Sequence, residues 1–277
     1  MSLNKWTRAG LAAGGALAGS MAALVFLVAP GKRDLKQRAP FMGRNFAHRG
    51  LHRIDKSTPE NSAAAFEHAS RIGYGSELDV HLTADGELVV FHDDDTKRLC
   101  GVEGRVSDMS LAELKELRLA GTEHRIPTLA EALAAAKGAP LIVELKRGAR
   151  NAELCRKVYE QMQSYPGPWC VESFDPRIVM WFRFHAPEVL RGQLSTRFRS
   201  LRKSSGAVSA FLLSRCMLNF LSRPQFIAYE IGRKPLTVRL CEALGAMKVA
   251  WTSLEWKTEE KADAVIFQFY RPRVKYK

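Results

Sequence analysis

The sequence predicts an α/β protein: a (β/α)8 TIM barrel preceded by a single N-terminal transmembrane helix. Three observations point there. From residue 45 onward, short apolar runs alternate with amphipathic helical stretches, as expected of parallel strands joined by crossover helices. No glycine-rich phosphate loop follows the first run, which speaks against an open nucleotide-binding sheet. Acidic, basic and histidine residues collect at the far ends of the runs, where a parallel barrel gathers its functional groups.

The elements follow in chain order. Residues 10–31 carry no charge, and about 20 apolar residues suffice to cross a hydrocarbon core of about 30 Å. Their first half is Gly/Ala-rich, and most of the apolar drive lies in Leu24–Val28. The run reads as an uncleaved anchor over 1–31, with a cleaved signal peptide as the competing reading because Lys5 and Arg8 precede it. More basic residues follow the run than precede it, which places the bulk of the protein on the cytoplasmic side, with the extracytoplasmic side as the alternative. Gly15 and Gly19 have the spacing of a helix-pairing face. Residues 32–44 form a basic tether, and 45–277 form the barrel domain. Strands are expected at 45–48, 76–83, 87–92, 140–145, 169–174, 188–194, 226–230, 248–253 and 263–268. Helices are expected at 61–72, 110–118, 128–137, 151–164, 175–185, 235–245 and 258–262. Asn61 or Ser62 caps the first helix, and Ser110 with Glu113 makes a capping box on the second. Nine strands exceed a barrel's eight; the Ala84-Asp85-Gly86 turn makes 76–83 and 87–92 a hairpin, so one arm stands outside the barrel.

The net charge of +13 over 277 residues favours anionic partners. The five cysteines are scattered without a C-x-x-C pair, which excludes a zinc site or a disulfide framework by spacing. Residues 191–239 hold ten basic residues against Glu230 alone, interleaved with apolar strings. That composition suits either contact with an anionic membrane surface or a barrel helix with a solvated basic face. No nucleic-acid recognition motif accompanies the charge, so no nucleic acid is expected. Nothing in the chain indicates a homo-oligomer.

Five short strings carry the chemistry: Ala47-His48-Arg49-Gly50, Pro59-Glu60-Asn61-Ser62, Glu77-Leu78-Asp79-Val80, Phe91-His92-Asp93 and Val143-Glu144-Leu145-Lys146. Glu77 and Asp79 lie two apart on a strand, so both side chains leave one face. Glu144 and Lys146 repeat that spacing at the end of a second strand. Three carboxylates on two strand ends make an all-oxygen site suited to Mg²⁺ or Ca²⁺. His48 and His92 end two other runs, and two histidines beside such a site can take a proton from a nucleophile and give one to a leaving alkoxide. Arg49 and Lys146 can hold phosphate oxygens. His81 shares the face of Glu77 and Asp79 but reads as lying past the site; His52, His68, His124 and His185 show no partner pattern.

In this order the five strings resemble the glycerophosphodiester phosphodiesterase family, whose pattern is HRG, PEN followed by Thr or Ser, E-x-D, HD and ELK. The Thr83-Ala84-Asp85-Gly86 turn and the Ile126-Pro127-Thr128-Leu129 string are also typical. The resemblance implies a (β/α)8 barrel and metal-dependent hydrolysis of glycerophosphodiesters to glycerol 3-phosphate and an alcohol. It implies His48 and His92 as the acid–base pair, Glu77, Asp79 and Glu144 as metal ligands, and Arg49 and Lys146 as phosphate contacts. Glu60 and Asn61 become residues that orient the first loop. Beyond Lys146 the likeness thins to Ser173-Phe174 and Ala250-Trp251-Thr252, where Trp251 is expected to line the substrate pocket. Residues 263–268 read DAVIFQ where the family has D-G-I-I-T-D, so the closing aspartate is absent.

The expected substrate is a glycerophosphodiester or a lysophospholipid. Competing readings are lysophospholipase D- or phospholipase D-like cleavage of a membrane lipid and, in another class, a non-catalytic barrel that binds phospholipid headgroups.

Overall fold

The computed structural model describes residues 5–273. Nine strands form one sheet: β1 (Arg44–Ala47), β2 (Gly75–Leu82), β3 (Leu88–Val90), β4 (Leu141–Leu145), β5 (Trp169–Ser173), β6 (Arg191–Ser195), β7 (Phe226–Glu230), β8 (Met247–Ser253) and β9 (Ala264–Phe267). The sheet closes because β1 pairs in parallel with both β9 and β2. A Cβ on Gly75 would lie 2.6 Å from the Phe46 ring, so glycine is what lets β1 and β2 meet. The strand β3 folds back antiparallel on β2. It is the arm outside the barrel, and eight parallel strands remain.

Side chains along the strands alternate between two layers. Leu78, Val80, Val143, Leu145 and Val171 face outward and pack with Phe66, Leu129, Leu154, Ile178 and Phe182 of the surrounding helices. Phe46, Ile142, Cys170, Val249 and Ile266 form a second cluster, inside the barrel. The helices start where the polar signals stand: Ser62 caps Ala63–Ile72, and capping boxes at Ser110 and Thr128 open Leu111–Glu116 and Leu129–Ala136. Each box satisfies backbone N–H groups that would otherwise lack partners.

The basic stretch 32–44 packs against the barrel. Asp34 caps the short helix Leu35–Arg38. The Arg38 guanidinium donates to the carbonyls of Gly245 at 2.7 Å and Gln225 at 2.8 Å. Phe41 is 2% exposed and stacks on Phe46 at a centroid distance of 6.0 Å, closing the N-terminal end of the barrel.

The expected transmembrane anchor is not borne out. No helix among the described residues is long and apolar enough to cross a membrane. A helix does run Lys5–Val28, but its most apolar end is used against the barrel wall. Val28 is fully buried with Ile227, Tyr229, Val238 and Cys241, and Leu24 and Leu27 pack on the same cluster. The single-pass placement, and the cytoplasmic orientation read from the flanking charges, fall with the anchor. Residues 1–4 of that expected anchor and 274–277 of the expected barrel domain lie outside the described residues. Gly15 and Gly19 have no neighbour within 4 Å of a built Cβ.

Residues 196–225 hold three short helices, Phe198–Leu201, Ala207–Ser214 and Asn219–Ser222. Much of the basic charge here is engaged internally. Arg191 is buried and donates to the Ser222 carbonyl and Gln225 Oε1. Arg223 donates to the carbonyls of Phe26 and Ala29, and Arg215 lies over the Phe211 ring.

Because Phe41 fills the closed end, Phe41→Ala is expected to cost about 3–5 kcal/mol. Denaturant unfolding measures this; a loss below about 1 kcal/mol would mean that the segment is a free tether.

Candidate active site

The site grows out of the interior layer by steps of two residues. Above Phe46 stands His48; above Ile142, Glu144 and then Lys146; above Cys170, Glu172; above Val249, Trp251; above Ile266, Gln268. Each inward-facing run thus changes from apolar to functional toward the C-terminal ends of the strands, while β2 contributes Glu77 and Asp79.

Glu77, Asp79 and Glu144 are all buried, and each offers an oxygen within 4.8 Å of the others. The register explains it: Asp79 of β2 pairs with Glu144 of β4. Lys146 Nζ sits 2.8 Å from both Asp79 Oδ1 and Glu144 Oε1. Burial pulls the Lys146 ammonium toward neutrality, but the two carboxylates outweigh it and hold its pKa above the usual value. Burial and the neighbouring Asp79, Glu144 and Glu172 push Glu77 well above the usual carboxylate range.

The first loop depends on two left-handed residues. Arg49 has φ 55° and Asn61 has φ 55°, conformations disfavoured for residues with a Cβ. The resulting turn brings the Arg49 backbone N–H to Glu77 Oε2 at 2.9 Å, and the Arg49 guanidinium to Glu60 at 2.6 Å and Asp79 at 3.7 Å. Asn61 donates its amide N–H to Asp79 Oδ2 at 2.7 Å and its backbone N–H to the Arg49 carbonyl at 2.9 Å. Glu60 and Asn61 therefore brace both the arginine and a carboxylate, as the resemblance implied.

The two histidines differ. His48 is 8% exposed, with Nδ1 2.6 Å from Gln268 Oε1 and Nε2 4.0 Å from Glu77 Oε2. Burial, then the charge of Arg49, pulls its pKa down to about 3. The His92 side chain is 32% exposed, and its Nδ1 lies 2.6 Å from Asp93 Oδ1. Arg98 binds Asp93 at 2.5 Å and Glu60 at 2.6 Å. Burial disfavours the Asp93 charge, but His92 and Arg98 outweigh it and hold its carboxyl below the usual range. His81 Nε2 lies 3.3 Å from the His92 carbonyl.

Trp251 stands apart from the cation cluster. It is edge-on to Phe174 at 5.6 Å and lines a cavity of about 610 Å³ with Arg197, Ile231, Leu254 and four others, none of them a carboxylate of the cluster.

Glu172, Gln268, Asp93 and Arg98 carry no role in the sequence reading. Glu172 is 1% exposed and neither oxygen has a hydrogen-bond partner. It pairs in register with Glu144. Burial, then the charges of Glu144 and Asp79, raises its carboxyl well above the usual range. An acidic residue two positions after an interior Cys170 was a signal that could have found it. Four buried carboxylates thus face only two adjacent cations, Arg49 and Lys146. One divalent ion would supply the missing positive charge, and an oxygen-only set suits a hard cation; the residues fit such a group.

Fold and site together define a (β/α)8-barrel enzyme. The chain belongs to the glycerophosphoryl diester phosphodiesterase family, whose model matches residues 48–268. It is 31% identical over 235 residues to glycerophosphodiester phosphodiesterase 1 of Bos taurus, covering 74% of this chain and 70% of that one. It is 34% identical over 143 residues to the lysophospholipase D GDPD1 of Homo sapiens, covering 47% of this chain and 43% of that protein's length. Among solved structures, a phosphodiesterase from Oleispira antarctica in complex with the product sn-glycerol-3-phosphate superposes with a TM-score of 0.64 at 25% identity, over 82% of this chain and 93% of that one.

Since Glu77 and Glu172 have raised pKa values when folded, the metal-free fold retains protons that the unfolded chain releases. The stability these two groups contribute is therefore fully present below the ordinary glutamate value of 4.5 and is lost as pH rises through the folded-state values. Glu172→Gln is expected to flatten that decline and to raise the melting temperature at neutral pH in EDTA by roughly 2–4 °C. Calorimetry across pH checks this; an unchanged slope would mean that Glu172 is not an unpaired charge.

Proposed function

We propose that this chain hydrolyses glycerophosphodiesters to glycerol 3-phosphate and an alcohol. The observation that carries the reading is the buried triad Glu77, Asp79 and Glu144, set between two differently supported histidines. Those carboxylates would hold Mg²⁺ or Ca²⁺, with Glu172 adding charge beside them. A divalent cation held there would polarise the phosphoryl oxygens and offset the negative charge of the transition state.

The protein's own groups do the rest. Arg49 and Lys146, fixed against the same carboxylates, meet the phosphate oxygens. The His48 ring nitrogen nearest the carboxylates, Nε2, takes a proton from the attacking water. The His92 Nδ1 lies 2.6 Å from Asp93 Oδ1, which fixes the ring so that its other nitrogen faces outward to give a proton to the departing alkoxide. A general acid contributes about 10²–10⁴ in rate when the leaving group is a poor one. Arg98 ties Asp93 to Glu60 and so sets the position of the donor relative to Arg49.

A second reading, removal of the headgroup alcohol from a lysophospholipid, draws support from the cavity at Trp251, whose Ile231 and Leu254 suit an acyl chain. A human relative named as a lysophospholipase D matches part of the chain.

The deciding experiment is a panel of glycerophosphodiesters and lysophospholipids with Mg²⁺ or Ca²⁺, scoring glycerol 3-phosphate against lysophosphatidate. EDTA should abolish turnover, and full activity in metal-free protein would sink the cation site. His92→Ala should lower turnover roughly 10²-fold or more on alkyl leaving groups and far less on an activated aryl one. Equal losses on both would remove His92 as the acid.

A further inference from the structure

Gln268 directly follows the last barrel strand, β9, and is in hydrogen-bond contact with the His48 ring. Its backbone N–H donates to the Ser253 carbonyl at 2.8 Å, and the carbonyl of the preceding Phe267 accepts from the His48 backbone N–H at 2.9 Å. The two backbones are therefore locked side by side, and the side chains follow: Oε1 sits 2.6 Å from His48 Nδ1. The opposite ring nitrogen points at the carboxylate cluster, 4.0 Å from Glu77 Oε2.

An imidazole has one proton to place when neutral, and a hydrogen bond at one nitrogen decides which nitrogen carries it. An amide oxygen can only accept. It therefore draws the proton to Nδ1 and leaves the Nε2 lone pair bare. Unlike a carboxylate, it adds no negative charge that would hold a second proton on the ring. His92 shows the contrast, since its Nδ1 partner is the Asp93 carboxylate.

We propose that Gln268 is a positioning residue that locks His48 in the Nδ1–H tautomer, with its bare Nε2 aimed at the reacting phosphate. The role deepens the hydrolytic reading given above and rests on it. During the reaction Nε2 takes up a proton of the attacking water as its oxygen bonds to phosphorus. His92 releases one proton to the alkoxide as the P–O bond breaks, so protons balance over the step. The two rings differ in partner: the His48 Nδ1 faces a neutral amide oxygen, the His92 Nδ1 a carboxylate.

The test labels histidine with ¹⁵N in the full chain and reads the His48 ring by long-range ¹H–¹⁵N correlation, in the wild type, Gln268→Met and Gln268→Glu. The wild type should show His48 with its proton on Nδ1. Gln268→Met, of similar length but without an acceptor of that strength, should shift the ring to a mixture or to Nε2–H, and lower kcat about 10–100-fold with little change in KM. Gln268→Glu keeps an acceptor, so Nδ1 should stay protonated; loss of the Nδ1 proton in this variant overturns the proposal even should the Met variant not fold. A wild-type ring protonated at Nε2, or an unchanged ring in Gln268→Met, overturns the proposal. The ring signal is read on resting protein, so failure of the wild type to cleave any diester would refute the hydrolytic reading while leaving the tautomer assignment standing.

Discussion

The constraint on which everything else rests is the crowding of negative charge at one end of the barrel. Glu77, Asp79, Glu144 and Glu172 stand on three adjacent parallel strands, all buried. In a medium where unpaired charge is costly, such a group persists only with cations or protons close by. Lys146 answers part of it by bridging Asp79 and Glu144, and Arg49 another part from the first loop. The strained turn at Arg49 and the left-handed Asn61 make sense as consequences, since they deliver a guanidinium and an amide donor to the same oxygens.

A second chain of contacts joins the loops. Arg49 binds Glu60, Glu60 binds Arg98, Arg98 binds Asp93, and Asp93 holds His92. Arg98 is half exposed, so its worth to stability is small. Its value is geometric: two loops with no shared strand are held at one spacing, which positions His92 relative to Arg49.

Much of this could be read in the sequence, for a physical reason. Strands with one face in a barrel and the other under helices keep strict alternation, so all nine strands showed as runs, and Glu77/Asp79 and Glu144/Lys146 showed as paired functional positions. The capping boxes at Ser110 and Thr128 are local chemistry, and Ser110 was legible for that reason. Glu172 and Gln268 were not read because their meaning depends on register between strands far apart in sequence: Glu172 matters because it faces Glu144, and Gln268 because β9 lies against β1. Arg98 sits on a short turn without periodicity. The N-terminal helix misled in the opposite direction. Leu24, Leu27 and Val28 have the composition of a membrane segment, and only the tertiary structure reveals that Ile227, Tyr229 and Val238 take up that apolar face.

The hairpin arm has a consequence of its own. His48 and the carboxylates belong to a closed ladder of hydrogen bonds, whereas His92 follows β3, an arm that closes no ring and is held by Val90 N–H to the Pro127 carbonyl and by Phe91 N–H to the Asp79 carbonyl. The carboxylates with His48, and His92, are therefore mounted on differently connected parts of the fold. Insertions or substitutions in the arm and the loop after it can reshape the space for the departing alcohol while the cation end stays as it is. In a fold of this kind, new leaving-group preferences can arise by remodelling a flap, and the phosphate-handling half is inherited intact.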